Sequence, residues 1–175
     1  MTRGEHRELQ AAADQELGEV LDFMRTIWAL DHAVQRTSKR MEKELGVTGL
    51  QRLVVRIVGR FPSIPAGRLA ELLHVHPSTL TGVLSRIERQ GALRRHPDPR
   101  DRRRWLLGLT DEGRRLDVET QGTIEAAIQD VMAKADPSGL EAAREVLCAI
   151  TNTLDAANTP TRISSRTSAR RKAPP

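Results

Sequence analysis

The sequence predicts a mainly α-helical protein with one small β-hairpin. Three observations predict this fold class. Apolar residues recur every three or four positions over most of the chain, helix start and stop signals flank those stretches, and the apolar period changes to two between Ala92 and Leu109. With 38% apolar and 29% charged residues, the 175 residues have the composition of one globular domain.

A long amphipathic helix is expected between Glu16 and Glu44. Gly46 ends it, and Thr48 can cap a second helix by accepting a hydrogen bond from a free backbone N–H. Phe61-Pro62 ends that second helix. The expected apolar faces are Leu17, Val20, Leu21, Met24, Ile27, Trp28 and Val34 in the first helix, and Leu50, Leu53, Val54, Ile57, Val58 and Phe61 in the second.

Two shorter helices are expected next. Pro65 suits the first turn of one, and Pro77 starts the other after the tight connection 74–76. Gly91 is placed to end the second of them. Their inward residues are predicted to be Leu69, Leu72 and Leu73, then Leu80, Val83, Leu84 and Ile87.

A β-hairpin and two further helices complete the predicted order. Leu93 on one strand and Trp105, Leu107 and Leu109 on the other flank the polar run 96–102. Thr110 can cap a helix expected to run to about Ala135. After the break at 136–139, a last helix carries a narrow apolar stripe typical of helix pairing, formed by Leu140, Ala143, Leu147, Ile150 and Leu154.

The charge is divided unevenly along the chain. Residues 64–104 hold nine Lys/Arg against four Asp/Glu, residues 105–158 hold four against ten, and residues 159–175 hold five against none. A polyanion would bind the two basic segments and avoid the acidic one. The alternative is an Arg-rich solvated surface without a partner.

The two short helices with a tight turn, followed by a basic hairpin, form the pattern of a winged helix-turn-helix. In that arrangement the second helix enters the major groove of DNA. Hydroxyl groups can bond phosphates or base edges there, and arginine can bind guanine through two hydrogen bonds. The candidate residues are Ser78, Thr79, Thr81 and Arg86 beside the small Gly82, although helix capping is the alternative role for a hydroxyl.

The hairpin forms a narrow basic finger, with six Arg and two Asp among residues 94–104. Such a finger fits the minor groove, where the electrostatic potential is most negative. A carboxylate at Asp101 can hold the Arg103 guanidinium in one rotamer before DNA arrives. The candidate DNA-binding residues here are Arg100, Asp101, Arg102, Arg103 and Arg104, and a solvated loop is the alternative.

The stretches LAELLHVHPSTLTGVLSRIERQGAL at 69–93 and DPRDRRRWLLGLTDEG at 98–113 carry a resemblance to a known family. Over roughly residues 17–157 the chain resembles the multiple antibiotic resistance regulator (MarR) family of winged-helix transcription factors. The resemblance implies that Pro77–Gln90 reads the major groove, that Arg103 enters the minor groove and that Asp101 supports it. His76 departs from the usual Ser, Thr or Asp cap, so this helix start is weaker or uses the imidazole.

The resemblance also implies a homodimer built from the first and last helices, each lobe binding half of a palindrome about 34–36 Å from the other. We therefore expect a flexible extension at 1–16, a dimerisation helix at 17–47, a winged helix-turn-helix domain at 48–110, dimerisation helices at 111–157 and a disordered basic tail at 158–175.

Many proteins of the resembling family release DNA when a small anionic or phenolic ligand enters a cleft between the dimer helices and the DNA-binding lobe. Trp28, His32 and Arg36 fall on one face of the first helix, and together they could hold an aromatic acid. The alternative is a core tryptophan beside a histidine with satisfied hydrogen bonds.

Other functions find less support in the residues. Cys148 has apolar neighbours that do not activate a thiol, and His74, His76 and His96 have no nearby cysteine to complete a zinc site. No Gly-rich phosphate loop or nucleophile with a base indicates an enzyme, and we expect no cofactor. The N-terminus lacks a secretory pattern, so we expect a soluble cytoplasmic protein. A DNA-coating architectural protein remains the alternative to a ligand-released repressor.

Overall fold

The computed structural model describes residues 3–101 and 104–158, with side chains from residue 17 onward. The fold is mainly helical with a small antiparallel sheet, which confirms the predicted class. In chain order the elements are α1 (Arg3–Leu45), α2 (Gly49–Arg60), β1 (Ile64–Pro65), α3 (Ala66–Leu72), α4 (Pro77–Arg89), β2 (Leu93–Pro97), β3 (Trp105–Leu109), α5 (Asp111–Leu116), α6 (Ile124–Met132) and α7 (Pro137–Asn158).

The chain divides into two compact units, Met1–Gln129 and Asp130–Pro175. In the first unit, α1 begins at Arg3, inside the segment 1–16 for which a flexible extension is predicted. The backbone leaves helical geometry at Gly18, with φ 71° and ψ 158°, so two helical segments meet there. Gly46, with φ 73°, follows the helix in the left-handed conformation that glycine adopts at low cost.

The core of the first unit lies between α2, α3, α4 and the sheet. Thr48 caps α2 as predicted, through a capping box in which the side chains of Thr48 and Gln51 each accept from the other's backbone N–H. The predicted inward face of α4 is also confirmed. Its buried residues are Leu80, Leu84 and Ile87.

The buried face of α2 differs from the prediction. Val54 and Val58 are buried as expected, but Leu53 and Phe61 are 47% and 53% exposed. The buried face extends instead to residues beside the predicted stripe, including the charged Arg52. Carbonyl and carboxylate partners described below make that burial possible.

The sheet has three strands, in the order β1-β3-β2, where only the two strands of the hairpin are predicted. Ile64 and Pro65 pair with Leu107 and Leu106 of β3 instead of opening a helix. Because Ile64 is 7% exposed and packs in the core, the extended backbone there is stabilised by burial. Pro65 is therefore the N-cap residue of α3 and lies before its first turn.

The long helix predicted from Thr110 to about Ala135 is wrong, because α5 ends at Leu116 and α6 begins at Ile124. Thr110 does cap α5, accepting from the Gly113 N–H. The intervening segment contains Gly122 at φ 76°. The Thr123 side chain starts the new helix by accepting from the Ala126 N–H at 3.2 Å.

In the second unit, α7 is a 22-residue helix preceded by Asp136. The Asp136 carboxylate accepts from the Ser138 hydroxyl and from the Gly139 N–H, and these hydrogen bonds lower the pKa of Asp136. No described residue of α7 is buried. The tail predicted at 158–175 lies outside the described residues from 159 on. No described helix is both long and apolar enough to cross a membrane.

Candidate nucleic-acid interface

The turn between α3 and α4 is closed by backbone hydrogen bonds. The His74 N–H donates to the Glu71 carbonyl at 3.2 Å, and the Val75 N–H donates to the Ala70 carbonyl at 3.2 Å. His74 adopts φ 50°, which turns the chain towards α4. This tight connection sets the two helices of the predicted helix-turn-helix against each other.

His76 caps α4 with its imidazole. Its Nδ1 accepts from the Ser78 N–H at 3.3 Å and lies 2.7 Å from the Ser78 hydroxyl oxygen. An acceptor at Nδ1 requires the neutral ring with its proton on Nε2. The unusual cap anticipated from the sequence therefore works through the imidazole.

The outward face of α4 carries the candidate residues. Ser78, Thr79, Thr81, Gly82 and Arg86 are all exposed, on the side opposite the buried leucines. A Cβ placed on Gly82 would meet no atom within 4 Å, so this point of the face stays open. The structure thus brings these five residues to one accessible surface.

Two hydroxyls on this face already have partners within the protein. The Thr81 hydroxyl donates to the Pro77 carbonyl at 2.8 Å, while the Ser78 hydroxyl faces the His76 ring. Because the Thr81 hydroxyl proton is engaged, its oxygen can still accept from an amino group of a base but cannot donate to a base acceptor without leaving Pro77.

Arg86 is the long cation of the face, with a side chain that is 56% exposed. Its Nη1 lies 3.8 Å from Oε1 of Glu42 on α1, and Glu42 is 50% exposed. An exposed pair at this distance is weak and leaves the guanidinium free to turn to another partner.

The hairpin of β2 and β3, here called the wing, is closed by hydrogen bonds near its tip. Asp98 accepts from the Arg100 N–H at 2.8 Å, and the Asp98 N–H donates to the Arg104 carbonyl at 2.9 Å. Arg104 Nε lies 3.6 Å from Asp101 Oδ2. Arg100 and Arg104 are exposed, whereas Arg102 and Arg103 lie outside the described residues.

Trp105 opens β3 opposite Pro97 and is 50% exposed. It shares a strand face with the buried Leu107 and Leu109, but it lies beyond the core. The sequence pattern predicts it only as a strand residue. A half-exposed indole beside the wing tip adds an aromatic surface to the basic finger.

A cluster of four charged side chains, here called the arginine clamp, ties α2 to the segment after α5 and to the start of α6; its members are Arg52, Arg56, Asp117 and Glu125. Arg52, with a side chain 2% exposed, contacts both oxygens of Glu125, with Nε–Oε2 at 2.9 Å and Nη2–Oε1 at 2.6 Å. It also donates to the carbonyls of Leu116 at 2.9 Å and Val118 at 2.6 Å.

One turn further along α2, Arg56 completes the clamp. Its Nη1 donates to the Asp117 backbone carbonyl and, at 2.8 Å, to Asp117 Oδ1. Its Nε lies 3.5 Å from Glu125 Oε1. A buried guanidinium is stable only when its donors are paired, and the clamp supplies these partners from a segment more than 60 residues away.

A cavity of about 550 Å³ lies between α1, α2 and the start of α6, and its lining residues all belong to the first unit. Its lining is mostly apolar, and the residues are Val34, Gln35, Ser38, Met41, Thr48, Gly49, Leu50, Leu53, Ile124, Glu125 and Ile128.

The predicted ligand residues do not line this cavity. Trp28 is 57% exposed, and His32 and Arg36 are exposed along the same face of α1. At 3.6 residues per turn, Val34, Ser38 and Met41 lie on nearly the opposite face of that helix. Trp28, His32 and Arg36 are therefore not among the lining residues of this cavity.

Candidate metal ligands are dispersed in the described part of the chain. No group of three or more His, Cys, Asp or Glu within it could hold a metal ion. His74 and His76 are exposed in the turn, and Cys148 is exposed on α7.

Comparisons with known proteins agree with this geometry. The model of the MarR family matches residues 47–105. The transcriptional activatory protein BadR of Rhodopseudomonas palustris is 32% identical over 127 residues, covering 70% of this chain and 71% of that protein. The chain belongs to the MarR family.

Another relative is the homoprotocatechuate degradative operon repressor of Escherichia coli, 34% identical over 92 residues that cover 53% of this chain. The chain spans 62% of the length of that relative.

Two solved structures, both from Streptomyces coelicolor, share the fold. A MarR family transcriptional regulator in complex with DNA has a TM-score of 0.64 at 20% identity, covering 75% of this chain and 85% of its own. The PcaV transcriptional regulator in complex with its natural ligand has a TM-score of 0.60 at 28% identity, covering 75% and 91%. The predicted winged-helix architecture is confirmed.

Sequence reasoning missed the arginine clamp of this MarR-family chain. Arg52 and Arg56 stand four residues apart beside the apolar stripe of α2, a spacing that also fits an ordinary solvated helix face. Glu125 was assigned to the middle of a continuous helix. Only the break before Ile124 brings its carboxylate to α2.

Proposed function

We propose that the protein is a homodimeric, sequence-specific DNA-binding transcriptional regulator of the cytoplasm that represses until a small ligand releases it. One observation carries the proposal: an exposed polar face on α4 stands beside an Arg-rich wing in a helix-turn-helix. α4 would lie in the major groove and the wing in the minor groove. The DNA complex of the Streptomyces coelicolor regulator supports this assignment by its shared fold.

Dimerisation finds support in exposed apolar side chains within each unit. On α1 they include Phe23 and Met24, 43% and 42% exposed, and on α7 they include Leu147 and Leu154, 43% and 59% exposed. Apolar helix faces of this kind are usually covered by a partner. Sedimentation equilibrium tests the proposal, because a dimer has twice the 19.5 kDa mass of one chain.

The test of sequence-specific binding is selection from a pool of random DNA duplexes with the full chain. We expect a palindrome whose half-sites are one helical turn apart, preferred by about 10³-fold or more over random duplex. A featureless pool would contradict this and favour the DNA-coating alternative. Repeating the selection without residues 159–175 separates the site read by the folded lobe from binding by the basic tail, whose loss should flatten the salt dependence.

We propose that Arg103 enters the minor groove and that the Asp101 carboxylate holds its guanidinium in position. Arg103→Ala should weaken binding to the selected palindrome while the unfolding midpoint stays unchanged. Unchanged affinity would refute the assignment.

The proposed effector site is the cavity between α1, α2 and α6, because it is concave and mostly apolar, as small-ligand sites are. PcaV, solved with its natural ligand, supports ligand binding in a relative of this fold. The named relatives include a repressor and an activatory protein. A reporter gene placed behind the selected palindrome tests whether the protein represses or activates transcription. For a repressor, expression should rise when the protein is removed.

A further inference from the structure

Gly82 lies near the middle of the 13-residue helix α4, where the fold itself gives no reason for a glycine. Its backbone is right-handed helix, whereas Gly91, just after α4, has φ 73°. A Cβ placed on Gly82 would meet no described atom of another element within 4 Å, so packing does not require the missing side chain. Apart from proline, glycine is the least favourable residue in a helix interior. The chain therefore carries a local cost at Gly82 that its own fold does not explain.

The absent side chain leaves a gap on the outward face of α4. Side chains three and four residues away are the neighbours of a given position on a helix surface. Around Gly82 these neighbours are Ser78, Thr79, Ser85 and Arg86, and all but the half-buried Ser85 are exposed. The four side chains form the rim of a depression, here called the α4 gap, on the face proposed to enter the major groove.

The floor of the α4 gap offers no free hydrogen-bonding group. In an α-helix the Gly82 N–H donates to the Ser78 carbonyl and the Gly82 carbonyl accepts from the Arg86 N–H, since both partners lie within α4. The floor is therefore the apolar Cα of Gly82. A polar edge of a base pressed against it would lose water without gaining a partner, whereas an apolar group would be stabilised by burial.

The rim leaves the α4 gap open in the free protein. The Ser78 hydroxyl is engaged with His76, whose Nδ1 lies 2.7 Å from the hydroxyl oxygen. The Arg86 guanidinium lies beside α1, with Nη1 3.8 Å from Glu42 Oε1. An apolar group of a ligand can thus enter the gap without displacing a side chain.

We propose that the α4 gap receives the 5-methyl group of one thymine in each half-site, which makes Gly82 a specificity-determining residue. The major-groove edges of the bases carry hydrogen-bond acceptors, amino donors and one apolar group, the thymine methyl. A floor without a donor or an acceptor selects that methyl group over the polar edges. This inference rests on the proposed function, a dimer whose two α4 helices lie in the major groove.

The experiment uses the full chain and the palindrome recovered by duplex selection. Symmetry-related pairs of thymines are replaced by deoxyuridine, one pair at a time, and the anisotropy of the labelled duplex measures affinity. Uracil lacks only the methyl group of thymine, so base pairing and the polar edge are kept. At one position in the half-site we expect wild type to lose about fourfold in affinity for each methyl group, and about 15-fold for the pair. A palindrome without thymine, or one whose thymines can all be replaced without loss, would overturn the inference.

Gly82→Ala assigns the effect to the gap. The added Cβ occupies the space proposed for the thymine methyl, so this variant should bind the thymine palindrome at least tenfold more weakly than wild type. At the position where wild type prefers thymine, the ratio of thymine to uracil affinity should fall to about one or below. The same ratio in the variant and in wild type would show that another residue contacts the methyl group and would overturn the inference.

Gly67→Ala is the matched control. Gly67 is an exposed glycine of α3, and a Cβ there would also meet no atom within 4 Å. The same substitution on the other helix of the helix-turn-helix should leave the ratio of thymine to uracil affinity unchanged. A fall of this ratio in both variants would assign the effect to the pair of helices and would contradict the role of the gap.

Thermal unfolding without DNA separates this role from a structural one. Because alanine is more favourable than glycine in a helix, Gly82→Ala should raise the midpoint of unfolding by about 2–4 °C while DNA affinity falls. A lower midpoint would show that the fold itself requires the glycine, and the inference would fail.

Failure of the inference is distinguishable from failure of the proposed regulator. A featureless duplex selection with wild type would overturn both. A clear palindrome together with an unchanged thymine preference in Gly82→Ala would overturn this inference alone and leave the sequence-specific regulator standing.

Discussion

The helices α2 and α4 have nearly the same length, 12 and 13 residues, and both bury an aliphatic face in the same core. One arginine of each helix differs sharply in burial and in the number of its partners. Arg52 of α2 is 2% exposed and holds four oxygen partners, whereas Arg86 of α4 is 56% exposed and lies 3.8 Å from a single exposed carboxylate. An arginine in an amphipathic helix is thus a structural group or an available ligand-binding group according to what the rest of the chain brings to it.

The largest expected effect is on the stability of the fold and concerns Arg52 of α2. Arg52→Met removes the buried cation, leaves two carbonyls without their donor, and leaves the Glu125 carboxylate with Arg56 Nε at 3.5 Å in place of a two-pronged partner. We expect a loss of about 3 kcal/mol in the free energy of unfolding, at the lower end for breaking a buried pair because Glu125 keeps some solvent contact. Urea unfolding followed by circular dichroism measures it.

Arg89→Met is the matched control, since Arg89 is an exposed arginine of α4 with one hydrogen bond, at 3.4 Å, to the Ser85 carbonyl. Its effect should stay within about 0.5 kcal/mol. A similar loss in the free energy of unfolding for Arg52→Met and Arg89→Met would show that the burial of Arg52 does not contribute to stability.

The next effect concerns DNA and the α4 side. If Arg86 contacts a base, Arg86→Ala should lower affinity for the selected palindrome by about 1–3 kcal/mol, roughly 5- to 150-fold, with stability unchanged. The anisotropy of a labelled duplex measures this. Glu42→Gln removes the acidic neighbour and keeps the arginine, so it should leave affinity equal or raise it. A loss of affinity in both variants would point instead to the α1–α4 contact as the cause.

The contrast between α2 and α4 also marks what the sequence could predict. Local signals were sufficient for the Thr48 and Thr110 caps and for the hairpin strands, because the partner atoms lie within a few residues. The Arg52–Glu125 pair spans 73 residues of sequence and depends on a helix break. Gly122 and the Thr123 cap are the local signals of that break, but the eight-residue spacing from Leu116 to Ile124 also fits one face of a single helix, and the prediction followed that spacing.

Strand β1 was missed for a similar reason. Two residues are too short for an alternating pattern, and Pro65 reads equally well as a helix start. The pairing of Ile64 with Leu107 supplies the missing information. For the candidate site, the α4 face followed from helical spacing alone, whereas the lining of the cavity required the tertiary arrangement of three helices.

A smaller effect tests the start of α4. His76→Ala removes the side-chain acceptor of the Ser78 N–H and should cost about 1 kcal/mol of stability. His76→Asn should restore most of this loss, because asparagine is among the most favourable N-cap residues. Thermal unfolding of the three proteins measures the series. An Asn variant no more stable than the Ala variant would show that the imidazole does not act as a cap.

The smallest expected effect on stability concerns neither α2 nor α4 but Asp136, at the start of α7. Hydrogen bonds from the Ser138 hydroxyl and the Gly139 N–H lower the pKa of Asp136, so its ionised form contributes stability above its unfolded pKa. That contribution is lost as pH falls through the lower folded pKa. Asp136→Asn should therefore be slightly less stable than wild type at neutral pH and equal to it in strong acid, by urea unfolding at both pH values. A difference independent of pH would contradict the assignment.

The two tryptophans of the chain stand in different regions, Trp28 on α1 and Trp105 beside the tip of the wing, 57% and 50% exposed. No tyrosine adds to the emission. Replacing either indole with phenylalanine leaves a single intrinsic fluorophore whose emission wavelength reports local hydration. One variant would thus follow the wing as a duplex is added and the other would follow α1, with no dye attached.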